Sequence, residues 1–279
     1  MTQTSPAPRV WTRFVAVGDS FTEGMCDDER ALAVDGQYAG WADRLAAHLA
    51  DVARQAEAEF GYANLAVRGR KLADVVGRQL EVALGLEPDL VSIVGGGNDI
   101  LRPKADLDAL AAALEEAVRR TRATGADVLL ATPVDPADAP LVRATRGRAA
   151  IHTANIWSIA RRHGCHVVDQ WGLHALRDWR MWADDRIHMT SEGHRRVAAA
   201  AAEALGIPLE QGGWAIPLEP APAISRREAL QANARWARQH VGPWLHRRLT
   251  GRSSGDARGP KRPEVLPLLP AASLPRERP

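Results

Sequence analysis

Four short segments of the chain hold residue types that can do chemistry together. Gly18-Asp-Ser20-Phe-Thr follows a short apolar run and offers a hydroxyl at Ser20. A hydroxyl is a weak nucleophile until a base takes its proton. Asp185-Arg-Ile-His188-Met-Thr-Ser-Glu-Gly193-His194 supplies an imidazole and, three residues earlier, a carboxylate. A carboxylate that holds the imidazole in one tautomer makes it such a base. Gly95-Gly-Gly-Asn98-Asp99 offers an amide that can donate to a developing oxyanion, beside glycines that let backbone approach a ligand. Asn64-Leu-Ala-Val-Arg-Gly69 offers a glycine N–H for the same purpose. Singly, each has a plainer reading: Ser20 as a helix cap, 95–97 as a glycine turn, His188 as a surface or satisfied core residue. His194 reads as a helix residue near the surface or packed inward.

Periodicity supplies a scaffold that would bring these segments to one edge. Arg13 to Gly18, Tyr62 to Val67, Asp89 to Val94, Asp127 to Ala131 and His166 to Asp169 read as short, buried strands. Tyr38 to Ala53, Leu72 to Leu86, Leu107 to Thr124, Arg143 to His163 and Ser191 to Leu205 carry helical spacing, the last with Ser191 as its expected cap. Five strands alternating with helices predict a parallel sheet covered on both faces. In such a sheet the working site lies outside the carboxyl ends of the strands, and all four segments fall there or on the last loop of the body.

Composition divides the chain in two. Of 279 residues, 46% are hydrophobic and 25% charged, which excludes collagen, coiled coil and wholesale disorder. The net charge of +2 is a sum of opposites. Residues 208–279 hold 12 Lys and Arg against 6 Asp and Glu, with 11 of the 18 prolines, while residues 1–207 hold 24 against 28. The body is acidic and the extension basic. Ser225 begins a basic helix running to about Thr250 with a break at Gly242-Pro243, and 251–279 reads as disordered. Docking of that helix on the acidic body, anchored by Trp236 and Trp244, is the preferred reading. Contact with nucleic acid or an anionic membrane surface is the alternative. Two cysteines make no disulfide framework, and the polar start lacks an apolar leader, a pattern that fits a cytoplasmic protein.

Together the four segments resemble the GDSL, or SGNH, hydrolase family over roughly residues 13–205. Gly18-Asp19-Ser20 matches the nucleophile block, with Phe21 where the family often has Leu. Gly69 matches the second block, Gly-x-Asn-Asp of 96–99 the third, and Asp185-x-x-His188 with Gly193-His194 the last. The resemblance implies a three-layer α/β/α, flavodoxin-like domain over 1–207 with a five-stranded parallel sheet. It is followed by a linker and helix over 208–250 and a tail over 251–279. It implies a carboxylic ester hydrolase (esterase, deacetylase, lipase or thioesterase) acting on a small acyl ester without metal or cofactor. Ser20 would be the nucleophile, His188 the base and Asp185 its orienting carboxylate. The Ser20 N–H, the Gly69 N–H and the Asn98 side chain would form the oxyanion hole. Asp19 would organise the nucleophile turn. Arg68 and Arg70 flank Gly69, either favouring an acidic substrate at the entrance or simply solvated.

Other readings stay open. Asp19, Asn98, Asp99, Asp185 and His188 superficially suit a metal-dependent phosphoesterase, though no His-x-His cluster accompanies them. A non-catalytic binding protein of the same fold, with the basic arm as its interaction surface, is the second alternative. A Gly-x-Ser-x-Gly elbow is excluded, since position 22 is Thr. Cys26 lies close after Ser20 with no evident partner. Met181, Trp182, Trp171 and Trp179 precede the Asp-His loop and either wall an acyl pocket or pack the loop. Oligomeric state is not legible.

Overall fold

β1 (Arg13–Val17) is buried along its length after Arg13 and lies between β2 (Gly61–Asn64) and β3 (Leu90–Ile93), parallel to both. The computed structural model describes residues 9–28, 38–139, 142–209, 212–222, 225–241 and 254–268. β4 (Asp127–Ala131) and β5 (His166–Val168) extend the parallel sheet. The order β5-β4-β3-β1-β2 is the doubly wound, flavodoxin-like arrangement, with its switch point between β1 and β3. The helices are α1 (Ser20–Glu23), α2 (Trp41–Gln55), α3 (Leu72–Asp74), α4 (Leu80–Gly85), α5 (Gly97–Ile100), α6 (Leu107–Ala123), α7 (Arg146–His163), α8 (Ser191–Ala204) and α9 (Arg226–Trp236). Among the described residues, none is long and apolar enough to cross a membrane.

Alternation along β1 builds a core on each face. Phe14 and Ala16 join Trp41, Leu45 and Leu49 of α2 and Val197, Ala201 and Ala202 of α8. Val15 and Val17 join Leu72, Val75 and Leu80, then Val118 of α6 and Ile156 and Ile159 of α7. The small side chains of α8 let it pack closely against α2. The cap of α8 is Thr190, one residue before the expected Ser191: its Oγ1 accepts from the Gly193 N–H. Helix α7 ends where expected, at Gly164 in the left-handed conformation.

Among the described residues the sheet has six strands, not five. β6 (Arg262–Pro267) pairs antiparallel with β2, inside the stretch expected to be disordered. An open β2 edge would present unpaired backbone groups, and β6 covers it. Its prolines, Pro263 and Pro267, suit an edge strand. Val265 packs on the second core and against Gly61, where a Cβ would lie 2.5 Å from its Cγ1. Just before β6, the side chain of Lys261 is only 2% exposed. Its ammonium donates to the carbonyls of Glu23, Tyr38 and Ala39 and to Asp43 Oδ2 at 2.6–2.9 Å. Upstream, Trp214 and Leu218 pack against the first core, and Arg196 donates to the carbonyls of Trp214 and Ile216. Ser225 precedes α9, as expected, and caps it in a reciprocal box with Glu228. Residues 237–241 continue as a wider helical turn. Gly242-Pro243 and Trp244 lie outside the described residues.

Lys261→Met would leave the Asp43 carboxylate buried without its cation, an arrangement that costs about 3–5 kcal/mol. Urea unfolding should show a loss of that order, and adding Asp43→Leu should recover most of it.

Candidate active site

The β1–β3 pairing sets Gly18 and the glycines after β3 side by side. Gly18 is held from behind by Gln79: its N–H donates to Oε1 at 2.8 Å, and Gln79 Nε2 donates to its carbonyl at 2.9 Å. No side chain fits at position 18, because a Cβ would lie 2.4 Å from Thr22 Oγ1 and 2.9 Å from the Val94 carbonyl. The chain then turns into α1. Asp19 caps it by accepting from the Phe21 N–H, so Ser20 is the first helical residue. Its N–H therefore lacks an intrahelical acceptor. Gly24 closes this single turn at φ 90°, pressed against the Ala39 carbonyl.

The Gly69 segment is tied to the same turn. Glu23 of α1 accepts from the Arg68 N–H at 2.7 Å and from its guanidinium. Arg68 is therefore a buried partner of Glu23, not a charge at the entrance. Gly69 adopts φ 73°, and among the described residues its N–H has no acceptor. Asn98 of α5 donates from Nδ2 to Asp19 Oδ2 at 3.1 Å and to the Arg70 carbonyl at 2.9 Å. Asn98 thus laces the three segments together, with both amide hydrogens engaged. Burial, with the like charge of Asp99 adding to it, pushes the Asp19 carboxyl up to about 6.

Asp185 and His188 lie on a hairpin-like loop. Trp182 bridges Met189, the Ala183 N–H donates to the His188 carbonyl, and the Thr190 N–H donates to the Met181 carbonyl. Met181 is buried and Trp182 donates to the Leu176 carbonyl, so both pack the loop. Arg146 lies over the Trp171 ring and Arg186 over the Trp179 ring. Across the loop, His188 Nδ1 meets Asp185 Oδ2 at 2.5 Å, while Asp185 Oδ1 accepts from the N–H groups of Ile187 and His188. Nδ1–H thereby donates to the carboxylate and leaves Nε2 as the basic nitrogen. Burial alone would lower the His188 pKa, but the Asp185 hydrogen bond and the nearby Cys26 outweigh it and bring it up to about 9. Burial also opposes Asp185, yet its bonds with His188 hold it down to about 2.

Cys26 has the partners the sequence did not reveal. Its Sγ, a His188 ring nitrogen and an Asp185 oxygen lie within 4.8 Å of one another, the one such metal-capable group among the described residues. Asp27 next to it is locked by Arg44 at 2.8 and 2.9 Å. His194 packs inward and is fully buried: Trp41 N–H donates to its Nδ1, its Nε2–H reaches the Met25 carbonyl, and Phe21 stacks on the ring. Burial drives its pKa down to about 4. His194 thus braces the turn that carries Ser20 as a neutral ring. Sequence reasoning missed Gln79 and the Glu23–Arg68 pair. Gln79 left one signal, a polar residue four after Val75 on an otherwise apolar helical stripe.

Residues 16–196 match the GDSL-like lipase/acylhydrolase family. The chain belongs to that family. It is an ester hydrolase of the GDSL type. Among solved structures it is similar to LAE5, an alpha/beta hydrolase enzyme from the metagenome of Lake Arreo, Spain. That match has 28% identity and a TM-score of 0.59, covering 70% of this chain and 95% of that one. It is similar in fold to a single-substitution variant of Axe2, an acetyl xylan esterase from Geobacillus stearothermophilus, at 21% identity and a TM-score of 0.57, over 72% and 97% of the chains. It is likewise similar in fold to TesA, at 23% identity and a TM-score of 0.52, over 69% and 97%. No curated protein sequence matches it significantly.

A histidine base works only when neutral. With His188 as that base, its raised pKa predicts that kcat/KM on an ester climbs with pH and levels off above about 9. An acid limb near 6.5 would contradict this. The same shift means that the contribution of His188 to stability is full below about 6.5 and is lost as pH rises through about 9, while that of Asp185 is lost only as pH falls through about 2.

Proposed function

We propose that the chain cleaves a small ester, or a related acyl bond, through an acyl-enzyme on Ser20. The hydrogen bond between Asp185 and His188 Nδ1, on a loop brought beside the nucleophile turn, carries this reading. His188 Nε2 takes the Ser20 proton as Oγ attacks the acyl carbon. Asp185 stabilises the imidazolium that forms. The developing oxyanion is met by the N–H groups of Ser20 and Gly69, which have no acceptor among the described residues, with Asn98 Nδ2 sharing one of its hydrogens as the carbonyl oxygen arrives. His188 then protonates the leaving alcohol, and water repeats the sequence to release the acid and restore Ser20.

The reading needs no metal, since the Asp185–His188 pair already supplies the base. The family match and the esterases among the similar folds support an ester substrate. Deacetylation of a polar alcohol and hydrolysis of a longer acyl chain or thioester differ only in the acyl group accepted. A p-nitrophenyl ester series of increasing acyl length distinguishes them.

Ser20→Ala should abolish turnover of a short p-nitrophenyl ester while leaving the circular dichroism spectrum unchanged; residual turnover of more than a trace would sink the assignment. Asn98→Ala should lower kcat by about 10²–10³, the cost of one oxyanion donor. Excess EDTA should leave the rate unaltered and a serine-directed fluorophosphonate should abolish it. The reverse pattern would move the chemistry to a metal held by Cys26, Asp185 and His188.

A further inference from the structure

The family match ends at residue 196, yet α9 reaches the loop that carries Asp185 and His188. Trp236 Nε1–H donates to the Asp185 carbonyl at 3.1 Å, and that carbonyl has no other donor among the described residues. Arg186, next in the chain, adopts φ 57°, a left-handed backbone that a side chain of its size rarely takes. Its guanidinium lies 4.9 Å from the Trp236 ring centroid and 5.5 Å from that of Trp179, and donates to Asn233 Oδ1 at 2.7 Å. Asn233 and Trp236 are three residues apart and so share one face of α9.

The tip of this loop has little core of its own: Asp184 is exposed and Ile187 is 47% exposed. Helix α9 is also mostly exposed, with Leu230 at 69%, while Trp236 is half-buried. The helix therefore adds little to the core, and its face at Asn233 and Trp236 is spent on this loop.

We propose that Trp236 is a positioning residue that holds the Asp185–Arg186 turn, and through it the bond from Asp185 to His188, in working register. The proposal rests on the Ser20–His188–Asp185 reading. The indole fixes the carbonyl of Asp185 from outside, while the carboxylate of the same residue fixes the imidazole from inside. Arg186, held against two tryptophans, keeps the left-handed turn from relaxing. The extension is thus part of the catalytic unit, supplying the indole on which Arg186 of the body rests.

The test is Trp236→Phe, which keeps a ring for Arg186 but removes the donor, beside Trp236→Ala, which removes both. On a short p-nitrophenyl ester, kcat should fall about two- to tenfold in the Phe variant, the range spanned by one lost hydrogen bond, and further in the Ala variant. KM should stay within about twofold, as expected for lost positioning and not lost binding. The melting temperature should hold. Ring titration of His188 by NMR reads the same contact without turnover. Asp185, Cys26 and Asp19 are the titratable groups that face this ring. Its midpoint should move from about 9 toward 6.5 in the Ala variant. Wild-type kcat and an unmoved His188 midpoint in both variants would overturn the proposal. So would a rise in kcat, which would make the helix a lid. Activity surviving Ser20→Ala would sink the serine reading alone, and the His188 titration would still test Trp236.

Discussion

The pairing of β1 with β3 is the constraint on which the site depends. Val17 aligns with Ile93, so both strands end at one level, and the chain leaves β1 through Gly18 and β3 through Val94 and then Gly95. At this switch point the connections diverge to opposite faces of the sheet and leave a crevice between them. Ser20 enters the crevice from one side and Asn98 from the other. The approach is too close for a side chain at Gly18, and Gln79 bonds both its N–H and its carbonyl.

Behind Ser20 lies a layer of charge with little exposure. Glu23 with Arg68, Asp27 with Arg44, and Asp43 with Lys261 surround the segment from Gly18 to Asp28. Buried ion pairs add little net stability compared with apolar packing. They do fix geometry, because each is tolerable only when both partners meet. Here each joins segments far apart in sequence: Glu23 aligns the Gly69 donor with α1, Arg44 pins the loop bearing Cys26, and Lys261 caps three carbonyls that no strand or helix pairs.

The extension contacts the body in two places. Near its end, β6 closes the sheet and Lys261 braces the residues around α1. Near its start, α9 bears on the Asp185 loop. This favours the docking role over a free basic arm: Arg262 lies over Tyr62, and Trp236 lies within reach of Arg186. Of the chain's 14 aromatic residues nine are tryptophan, and two of these, Trp179 and Trp236, meet Arg186.

Much of the fold was legible because its signals are local. Strands β1 to β5 are apolar runs ended by glycine or polar turns, and the long helices carry stripes that repeat every three to four residues. The spacing of Asp185 and His188 is also local, so a hairpin-like loop could be expected to join them. Only the tertiary structure decided the rest, since it depends on partners distant in sequence. β6 exists because β2, some two hundred residues earlier, leaves an edge to cover; its own prolines argued for disorder. Arg68 read as an exposed charge until Glu23 was seen across from it, and Cys26 as unpartnered until the last loop folded over it. Asn98 was legible as a donor, but not its engagement with Asp19 and Arg70. Residue types and short spacings fix what chemistry is available; which groups meet depends on chain segments that only packing brings together.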